Sequence, residues 1–443
     1  MSLKRILAGI LSASLVLTVA LSGCNNGQSG SADPSSSTGE GSSAASAAES
    51  EDTGEKPEKL QAIVDNDTVG IIQPAIDILE RDEGIKTELV VQSYDQSYTK
   101  IMTSIMGGTP IDVINCDSVW TAEFTEAGMI TPVDDYISAE LKEDLFPGFV
   151  DQCSYEGKLM ALPMCAQTKW LYYNTDLLEQ AGYSEPPKTW DELFEMGQNM
   201  VSKGLCKYPI AWAAKQSEGM VCDWFVCLTA SGGSMQDDNG NWIFNNENGV
   251  AGLNLMVDSI KNGNADPGSI NYTDREVLNP FMAGDIPFVL NWAFAYALAN
   301  DPAESTIAGN VGIGLVPSNS DGVVSSSVTG GGGFAIASTS EYPDYAWKLI
   351  ENVVSREALF QSAELASNAP PIKSMYEDEE FIEQFPTMMD CYPQYEYAQA
   401  RPALAKYSEW SNGMQVSLHE AVTGAKSVED VLNEMIEKSA DYQ

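Results

Sequence analysis

Apolar and polar positions alternate along the chain in an order that predicts strands followed by helices. Residues Leu60 to Val64 form a mostly apolar run, and the polar loop Asp65-Asn66-Asp67-Thr68 follows it. Apolar side chains then recur at helical spacing, at Ile72, Ala75, Ile76 and Leu79. The runs from Thr87 to Val91 and from Ile111 to Asn115 repeat the strand and polar-loop pattern. Such alternation predicts an α/β domain with a largely parallel sheet.

The loops that follow these three strands carry the first candidate binding residues. Ligands of open α/β sheets bind beyond the carboxyl ends of the strands, where these loops meet. The pattern therefore brings a set of polar and aromatic side chains to one rim: Asp65, Asp67, Tyr94, Asp117 and Trp120. Asp117 has two compatible interpretations, as a ligand-binding carboxylate or as the N-cap of the next helix.

The stretch from Tyr155 to Met200 has the densest local signals. It predicts a hairpin ending at Pro163, and then, in the run from Trp170 to Leu178, a strand of alternating bulky residues that runs into a short helix stopped by Gly182. Thr189, with Glu192 three residues on, is typical of the reciprocal capping box that starts a helix.

The second half of the chain continues the alternation and places several tryptophans near the ends of elements. A strand is predicted from Pro209 to Ala213, and helices are predicted from Glu218 to Leu228 and within Asn245 to Asn262. The tryptophans associated with these elements and with the later apolar run Phe288-Val289-Leu290 are Trp212, Trp224 and Trp292. Trp292 is either a core residue or an aromatic plate at the rim of a cleft, and its position after a buried strand favours the rim.

A strand rich in glycine is predicted from Val328 to Ala337, and it includes Gly330-Gly331-Gly332-Gly333. A phosphate-binding loop would need a following Lys-Ser/Thr and a helix, whereas a strand comes next here. Glycines permit backbone conformations and close approaches that other residues do not.

The N-terminal residues have the pattern of an export signal rather than of part of the folded domain. Lys4 and Arg5 precede a short apolar core, and Leu21-Ser22-Gly23-Cys24 looks like a bacterial lipobox, with Cys24 as the lipidated residue. The alternative is an ordinary secretory signal with an incidental cysteine. Residues 24–57 are rich in Ser, Gly, Ala and Glu and predict a disordered tether behind a signal peptide of residues 1–23.

Length and charge restrict the class of protein. The body of this 443-residue chain is too long for one ordinary core, which predicts two lobes. The net charge of −41 argues against nucleic acid as a partner, because nucleic acid requires a cationic face. The negative charge is explained by solubility or, alternatively, by an acidic cleft for a cationic ligand.

The chain offers little for catalysis or for metal binding. Seven cysteines remain after Cys24, and their odd number without a CxxC pair fits neither a disulfide framework nor a zinc site, although one bridge involving Cys206, Cys222 or Cys227 stays open. His419 is the single histidine, so a Ser-His-Asp triad is not favoured. We expect no catalytic residues, no metal and no cofactor.

Several motifs in a fixed order resemble family 1 extracellular solute-binding proteins, the carbohydrate receptors of ABC importers. The matching runs are Tyr155-Glu156-Gly157-Lys158, Tyr173-Asn174-Thr175-Asp176-Leu177, Pro186-Pro187-Lys188-Thr189-Trp190-Asp191-Glu192-Leu193, Gly107 to Val113, Glu123 to Val133, and Phe281 to Trp292. Pro287 stands where the family usually has alanine. The segment from Arg401 to Trp410 also resembles the ending of the family.

The resemblance implies a two-lobed α/β periplasmic-binding-protein fold with a hinge and a ligand cleft between the lobes. It implies a first lobe of residues 58–166 and 332–385 and a second lobe of 167–331 and 386–443. The strand-and-loop pattern and the resemblance together predict a set of ligand-binding residues. They are Asp65, Asp67, Tyr94, Asp117, Trp120, Trp212, Trp224, Trp292, Gly331, Arg401 and Trp410.

The expected function is capture of a carbohydrate, an oligosaccharide, and its delivery to an ABC transporter permease. A sugar offers apolar C–H faces and a rim of hydroxyls, which aromatic plates, carboxylates and amides can bind. The expected form is a monomer on the outer face of a Gram-positive-type cell membrane, anchored by the lipid on Cys24. The alternatives are a receptor for a cationic solute such as a polyamine and a secreted glycoside hydrolase with two carboxylates.

Overall fold

The computed structural model of the protein describes residues 56–237 and 239–442. The predicted signal peptide, Cys24 and the tether up to residue 55 lie outside the described residues. Within the described ranges, no helix combines the length and the apolarity needed to cross a membrane.

The elements follow each other in the mixed order that the sequence predicts. The strands are β1 (Lys59–Asp65), β2 (Lys86–Gln92), β3 (Val113–Asp117), β4 (Ile130–Thr131), β5 (Ser154–Tyr155), β6 (Lys158–Leu159), β7 (Leu162–Pro163), β8 (Gln167–Thr168), β9 (Trp170–Asn174), β10 (Ile210–Ala211), β11 (Phe288–Asn291), β12 (Val311–Gly314), β13 (Ser327–Gly330), β14 (Gly332–Ala337) and β15 (Ala398–Gln399).

The helices are α1 (Val69–Glu83), α2 (Tyr94–Met106), α3 (Thr121–Glu126), α4 (Ala139–Asp144), α5 (Pro147–Gln152), α6 (Thr175–Ala181), α7 (Trp190–Ser202), α8 (Glu218–Ala230), α9 (Glu247–Asn262), α10 (Leu278–Met282), α11 (Phe294–Asn300), α12 (Pro343–Asn352), α13 (Arg356–Ala366), α14 (Glu379–Gln384), α15 (Pro386–Cys391), α16 (Tyr407–Val422) and α17 (Val428–Ser439). Short 3-10 turns cover Ser118–Trp120, Pro267–Asn271, Lys373–Tyr376, Tyr392–Tyr397 and Ala440–Tyr442.

The first large sheet has the strand order β2-β1-β3-β14-β4, with β7 also pairing with β14. Strand β1, which lies between β2 and β3, is parallel to both, whereas β14 runs antiparallel to β3, β4 and β7. The predicted parallel βαβ core is therefore present, but the sheet as a whole is mixed. We call this sheet and the helices packed on it, including α1, α2 and α12, the first lobe.

The second large sheet has the order β10-β11-β9-β12. Strand β9 is antiparallel to both of its neighbours, and β10 is parallel to β11. Helices α8, α9, α16 and α17 pack on one another, and with this sheet they form what we call the second lobe. The long C-terminal helices therefore belong with elements that precede them by about two hundred residues.

A small third sheet, β15-β13-β8, lies where the chain passes between the lobes. Strand β8 comes between β7 of the first lobe and β9 of the second, and β13 comes directly before the return to β14. The sequence predicts one strand from Val328 to Ala337, but the structure has two, because Gly331 lies between them with φ 75°. A positive φ is readily adopted only by glycine, so Gly331 is the residue that allows the chain to break between β13 and β14.

The local signals predicted between Tyr155 and Met200 are confirmed. Glu156 and Gly157 have φ values of 48° and 78° and form the turn of the β5–β6 hairpin. Gly182 ends α6 in the left-handed conformation, and Thr189 and Glu192 make the reciprocal capping box of α7. Strand boundaries were less accurate, since the strand predicted from Ile111 to Asn115 is Val113–Asp117.

The cysteines do not form a bridge within the described ranges. All seven are free, and six of them are buried: Cys116, Cys153, Cys165, Cys222, Cys227 and Cys391. The open possibility of a disulfide involving Cys206, Cys222 or Cys227 is therefore wrong for this structure. The buried cysteines act as small apolar residues.

Gly332 gives a test of the passage between the lobes. It has φ 152°, and a Cβ atom added there would overlap the carbonyl oxygen of Cys116. We expect Gly332→Ala to lower the free energy of unfolding by about 1–3 kcal/mol or more, because the backbone is both strained for alanine and too close to β3. Urea unfolding followed by circular dichroism measures the change.

The matched control is Gly413→Ala in the interior of α16, where nothing lies within 4 Å of an added Cβ. Alanine favours a helix interior over glycine, so this variant should gain up to about 1 kcal/mol. Equal stabilities for Gly332→Ala and the parent protein would show that the passage tolerates a side chain.

Candidate functional site

A cavity of about 560 Å³ lies among residues of the first lobe, the second lobe and the passage between them. Its lining combines carboxylates, amides, two arginines and aromatic rings, and includes the ends of β1 and β3 as the sequence predicts. The predicted residues that line it are Asp65, Asp67, Tyr94, Asp117, Trp292, Gly331 and Arg401. The structure thus brings together side chains that are more than three hundred positions apart in the chain.

Asp65 ends β1 and is held by three donors. Its Oδ1 accepts hydrogen bonds from the backbone N–H groups of Asp67 and Thr68, at 2.8 and 3.0 Å. Its Oδ2 accepts a hydrogen bond from Nδ2 of Asn115 at 2.7 Å. The carboxylate therefore fixes the loop between β1 and α1 as well as lining the cavity.

The environment of Asp65 disfavours its ionised form. The side chain is buried and receives only neutral donors. Burial raises the pKa of Asp65 to about 6, the N–H groups of Thr68 and Asp67 oppose the shift, and the charges of Asp67 and Asp117 add to it.

Tyr94 and Asp117 form the next part of the first-lobe wall. The Tyr94 hydroxyl donates to Oδ2 of Asp117 at 3.1 Å, and the N–H of Val119 donates to Oδ1 at 3.1 Å. Both interpretations of Asp117 are therefore compatible with the structure, since it caps the turn at Ser118–Trp120 and lines the cavity. Burial raises the pKa of Asp117, and the nearby Arg401 guanidinium opposes that shift.

Trp120 supports this wall from behind. Its ring stacks on Tyr94 with centroids 5.5 Å apart, and it is only 4% exposed. The expectation that Trp120 itself lines the cleft needs correction: the structure places Tyr94 between it and the cavity, because the turn at Ser118–Trp120 directs the indole into the first-lobe core.

A buried charge cluster around Arg401 joins the two lobes at one side of the cavity. Arg401 donates through Nη1 to Oε1 of Glu218 at 2.7 Å and through Nη2 to the Ser118 hydroxyl at 3.3 Å. Its Nη2 also lies 3.8 Å from Oδ1 of Asp117. The side chain of Arg401 is 4% exposed, so these contacts replace most of its hydration.

Glu218 is the centre of this cluster in the second lobe. In addition to Arg401, it accepts hydrogen bonds from the hydroxyls of Tyr407, at 2.6 Å, and Ser411. The Nε of Arg401 is buried and has no hydrogen-bond partner within the described part of the chain.

The second-lobe wall is built on Trp292 and Asp274. Trp292 follows β11, is half-buried, and donates through Nε1 to Oδ1 of Asp274 at 3.2 Å. The same oxygen accepts a hydrogen bond from Nζ of Lys169 at 2.7 Å. A Cβ atom on Gly330 would overlap the Trp292 ring, so the ring packs directly on the passage between the lobes.

At the mouth of the cavity, an ion pair links the two lobes. Nη2 of Arg275 lies 3.0 Å from Oδ1 of Asp67, and both side chains are more than half exposed. The Arg275 guanidinium also lies 5.3 Å from the centroid of the Phe294 ring. Such exposed pairs contribute at most about 1 kcal/mol, so this contact can open readily.

Three predicted tryptophans do not reach the cavity. Trp212 packs on Trp190 and donates to Ser259 at 2.8 Å, while Trp224 packs against Phe244. Trp410 stacks on Trp242 and donates to Ser439 at 2.8 Å. All three are 0% exposed: Trp212, Trp224 and Trp410. The expectation that they reach the cleft is corrected, because they fill the second-lobe core between its helices and its sheet.

Several residues of the site were absent from the sequence prediction. They are Glu218, Asp274, Lys169, Arg275 and Tyr407. Glu218 could have been found from its place at the start of a predicted helix. Asp274 has no comparable local signal, since it lies in a loop whose path depends on tertiary packing.

The described residues contain no group of three or more His, Cys, Asp or Glu side chains that could hold a metal ion. The arrangement is that of a binding site with fixed hydrogen-bond acceptors, two arginine donors and partly exposed rings. Two sheets joined by a narrow passage, with a polar cavity between them, define a two-lobed solute-binding protein.

Comparison with known proteins gives the family. Residues 52–359 match the family described as bacterial extracellular solute-binding protein, and the chain belongs to this family. A probable ABC transporter-binding protein from Deinococcus radiodurans is 30% identical over 322 residues, which cover 71% of this chain and 75% of the relative. The protein is accordingly a solute-binding receptor of the ABC-transporter type, from an extracellular family.

Solved structures share the fold over nearly their whole length. Maltose-bound MalE3 from T. maritima has a TM-score of 0.78 and 27% identity, covering 86% of this chain and 99% of that one. A solute-binding protein from Thermotoga lettingae bound with α-D-tagatose has a TM-score of 0.76 and 22% identity, covering 86% and 98%. The predicted two-lobed periplasmic-binding-protein fold is confirmed.

Asp65 makes the stability of the ligand-free protein depend on pH. The unfolded carboxyl ionises near its ordinary pKa of 3.8, whereas the folded one ionises at about 6. Between these values the folded state binds more protons, so its stability falls as pH rises from about 4 to 6 and then levels off. Across this range we expect the free energy of unfolding of the parent protein to fall by up to about 3 kcal/mol relative to that of Asp65→Asn.

Urea unfolding of the parent and Asp65→Asn proteins at several pH values between 4 and 7.5 measures this difference. Asp176→Asn, on the exposed first turn of α6, is a control that should run parallel to the parent. A constant difference between parent and Asp65→Asn would mean that Asp65 ionises normally in the folded state.

Proposed function

We infer that the protein captures a neutral carbohydrate, an oligosaccharide, between its two lobes and delivers it to the permease of an ABC importer. The observation that carries the proposal is the composition of the cavity, where the rings of Tyr94 and Trp292 lie among fixed carboxylates and arginines. Aromatic rings bind the C–H faces of a sugar, and charged acceptors and donors bind its hydroxyls.

The fixed geometry of the acceptors supports a ligand with many hydroxyls. Asp65 is held by backbone and amide donors, Glu218 by Arg401 and two hydroxyls, and Asp274 by Lys169 and the Trp292 indole. Such groups bind a hydroxyl without first being reorganised, which reduces the entropy cost of binding. The maltose found in MalE3 of T. maritima is in line with this class of ligand.

The charge balance of the cavity bears on the alternative of a cationic ligand. Three of its carboxylates already have cationic partners, namely Asp67 with Arg275, Glu218 with Arg401, and Asp274 with Lys169. A polyamine would compete with these internal cations. A neutral sugar can instead share the same acceptors, and for that reason we favour it.

Delivery requires that the receptor stays near its permease. We propose that Cys24 carries a lipid, that residues 24–57 tether the body to the outer face of the membrane, and that the body acts as a monomer. We further propose that residues 58–166 and 332–385 move as one lobe against residues 167–331 and 386–443, closing the cleft on the ligand.

The ligand class is tested by titration calorimetry of the purified protein with maltose, maltotriose, trehalose, cellobiose and lactose, and with spermidine and putrescine. We expect at least one saccharide to bind and the polyamines to give no heat of binding. Chromatography of the same samples detects cleavage, which a hydrolase would produce. Binding of a polyamine but of no saccharide, or steady release of sugar products, would contradict the proposal that the protein is a carbohydrate receptor.

Trp292→Ala provides the residue-level prediction for the saccharide that binds. It removes a ring that lines the cavity, so we expect the affinity to fall by about tenfold or more, with a smaller loss of stability than for a core tryptophan. Trp212→Ala is the matched control, because Trp212 is fully buried away from the cavity. It should cost about 3–5 kcal/mol of stability and leave the affinity of the folded fraction unchanged.

The anchor is tested with Cys24→Ala in the full chain. We expect this variant to fold and bind saccharide like the parent but to leave the membrane fraction, because the lipid is the only anchor proposed. Cys206→Ala, which removes a half-buried thiol of the body, is the control and should stay with the membrane. Retention of Cys24→Ala in the membrane fraction would indicate that the apolar segment Ile6 to Ala20 spans the bilayer.

A further inference from the structure

We propose that Lys169, although buried below the cavity, is a positioning residue that holds Asp274 and Trp292 together as one subsite for a sugar ring. The inference rests on the proposed carbohydrate function and deepens it, because it assigns the second-lobe half of the site to a defined pair of groups.

Lys169 touches both groups of the subsite and one group outside it. Its side chain is 0% exposed, and its Nζ lies 2.7 Å from Oδ1 of Asp274 and 2.5 Å from Oδ1 of Asp223. The same nitrogen lies 5.2 Å from the centroid of the Trp292 ring. One ammonium therefore fixes a carboxylate and an aromatic face that both line the cavity.

The surroundings of Lys169 keep it charged. Burial lowers the pKa of its ammonium, but the carboxylates of Asp223 and Asp274 outweigh that effect and the net shift is upward. Asp223 is itself held by the backbone N–H of Ala213 at 2.9 Å. The ammonium is consequently anchored to the second-lobe core on one side and directed to the cavity wall on the other.

Stability alone does not account for this arrangement. Asp223 is 1% exposed and would satisfy the need for a buried counter-ion, whereas Asp274 is 24% exposed and lies in a loop. An apolar pair of similar volume would commonly serve a core equally well or better than a buried ion pair. What the ion pair adds here is a fixed orientation of Asp274.

The orientation leaves one carboxylate oxygen for a ligand. Among the described residues, the side-chain donors to the Asp274 carboxylate are Nζ of Lys169 and Nε1 of Trp292, and both use Oδ1. Oδ2 lies beside Gly219 at the start of α8, and both residues line the cavity, where the Asp274 side chain is 24% exposed. A sugar ring stacked on Trp292 could thus donate a hydroxyl at the ring edge to Oδ2.

The first experiment needs no ligand. Removing Lys169 alone would leave Asp223 buried without a partner, so the test variant is the double substitution Lys169→Met/Asp223→Asn, which removes both charges. We measure the indole N–H resonances of ¹⁵N-tryptophan-labelled full-chain protein, with the Trp292 signal assigned by Trp292→Phe. We expect the Trp292 signal to shift or broaden while the signals of Trp212 and Trp410 stay in place.

Asp223→Asn alone is the matched control. It alters the same buried cluster but keeps the contact between Lys169 and Asp274, so the Trp292 signal should stay near its parent position. A Trp292 signal that is unchanged in the double variant, or equal shifts of all buried indoles, would overturn the positioning role, because a purely structural effect is not confined to the subsite.

The second experiment uses maltose as the probe, titrated by calorimetry into the parent, both variants and Asp274→Asn. We expect the double variant to lose about tenfold or more in affinity, as a charge-assisted hydrogen bond would be weakened. Adding Asp274→Asn to the double variant should have little further effect, since the two changes remove one interaction. Full additivity would contradict the proposal.

The two experiments separate this inference from the proposed function. A selective Trp292 shift with no saccharide binding to the parent would remove the carbohydrate function and keep Lys169 as the group that positions Asp274. Saccharide binding that is equal in the parent and the double variant, with an unmoved Trp292 signal, would keep the function and remove the inference.

Discussion

The close packing of four glycines, Gly330 to Gly333, is the constraint on which the site depends. Side chains at these positions would overlap Trp292, Cys165, Cys116 and Leu162. Because the backbone itself is the contact surface, the first-lobe strand β3 and the second-lobe residue Trp292 approach the same short segment from opposite sides. Close backbone packing therefore fixes where β3 and Trp292 meet the passage between the lobes.

Charge pairing is the second feature that organises the cavity. The chain is strongly acidic, with a net charge of −41, and the cavity shares this excess of carboxylates. The two arginines of its lining, Arg275 and Arg401, each contact a carboxylate of the wall, and so does Lys169, which is buried below it. A buried carboxylate without such a partner would be driven toward its neutral form, as the raised pKa of Asp65 shows. Asp67, Glu218 and Asp274 each have a cationic partner in the wall, which offsets part of the cost of placing a carboxylate there.

The sequence predicted the fold well where the signal was local. The strand and helix order of the first lobe, the β5–β6 turn and the capping box of α7 depend on neighbouring residues, and the structure has each of them. The rim of the first lobe could also be predicted, because strand ends of parallel units meet by topology. Asp65 and Asp117 therefore reach the cavity as expected.

The tryptophans show why the rest could not be predicted. An indole after a strand looks the same in the sequence whether the next segment covers it or leaves it exposed. Trp212 is covered by α7 and α9 through Trp190 and Ser259, and Trp410 by the segment that carries Trp242. Trp292 stays at the cavity because Gly330, nearly forty residues later, leaves room for it on the passage. Exposure of each ring is decided by partners distant in the chain.

The same reasoning explains why Arg401 matters more than its position near the C-terminus suggests. It contacts Glu218 of the second lobe and Ser118 of the first, over separations of 183 and 283 residues. Its bond to Glu218 is the shorter, at 2.7 Å, and its contacts to Ser118 and Asp117 are longer, at 3.3 and 3.8 Å. Arg401 is thus held mainly by Glu218 of the second lobe and presents its remaining donors to Ser118 and Asp117 of the first. One side chain near the C-terminus therefore joins the two walls of the cavity.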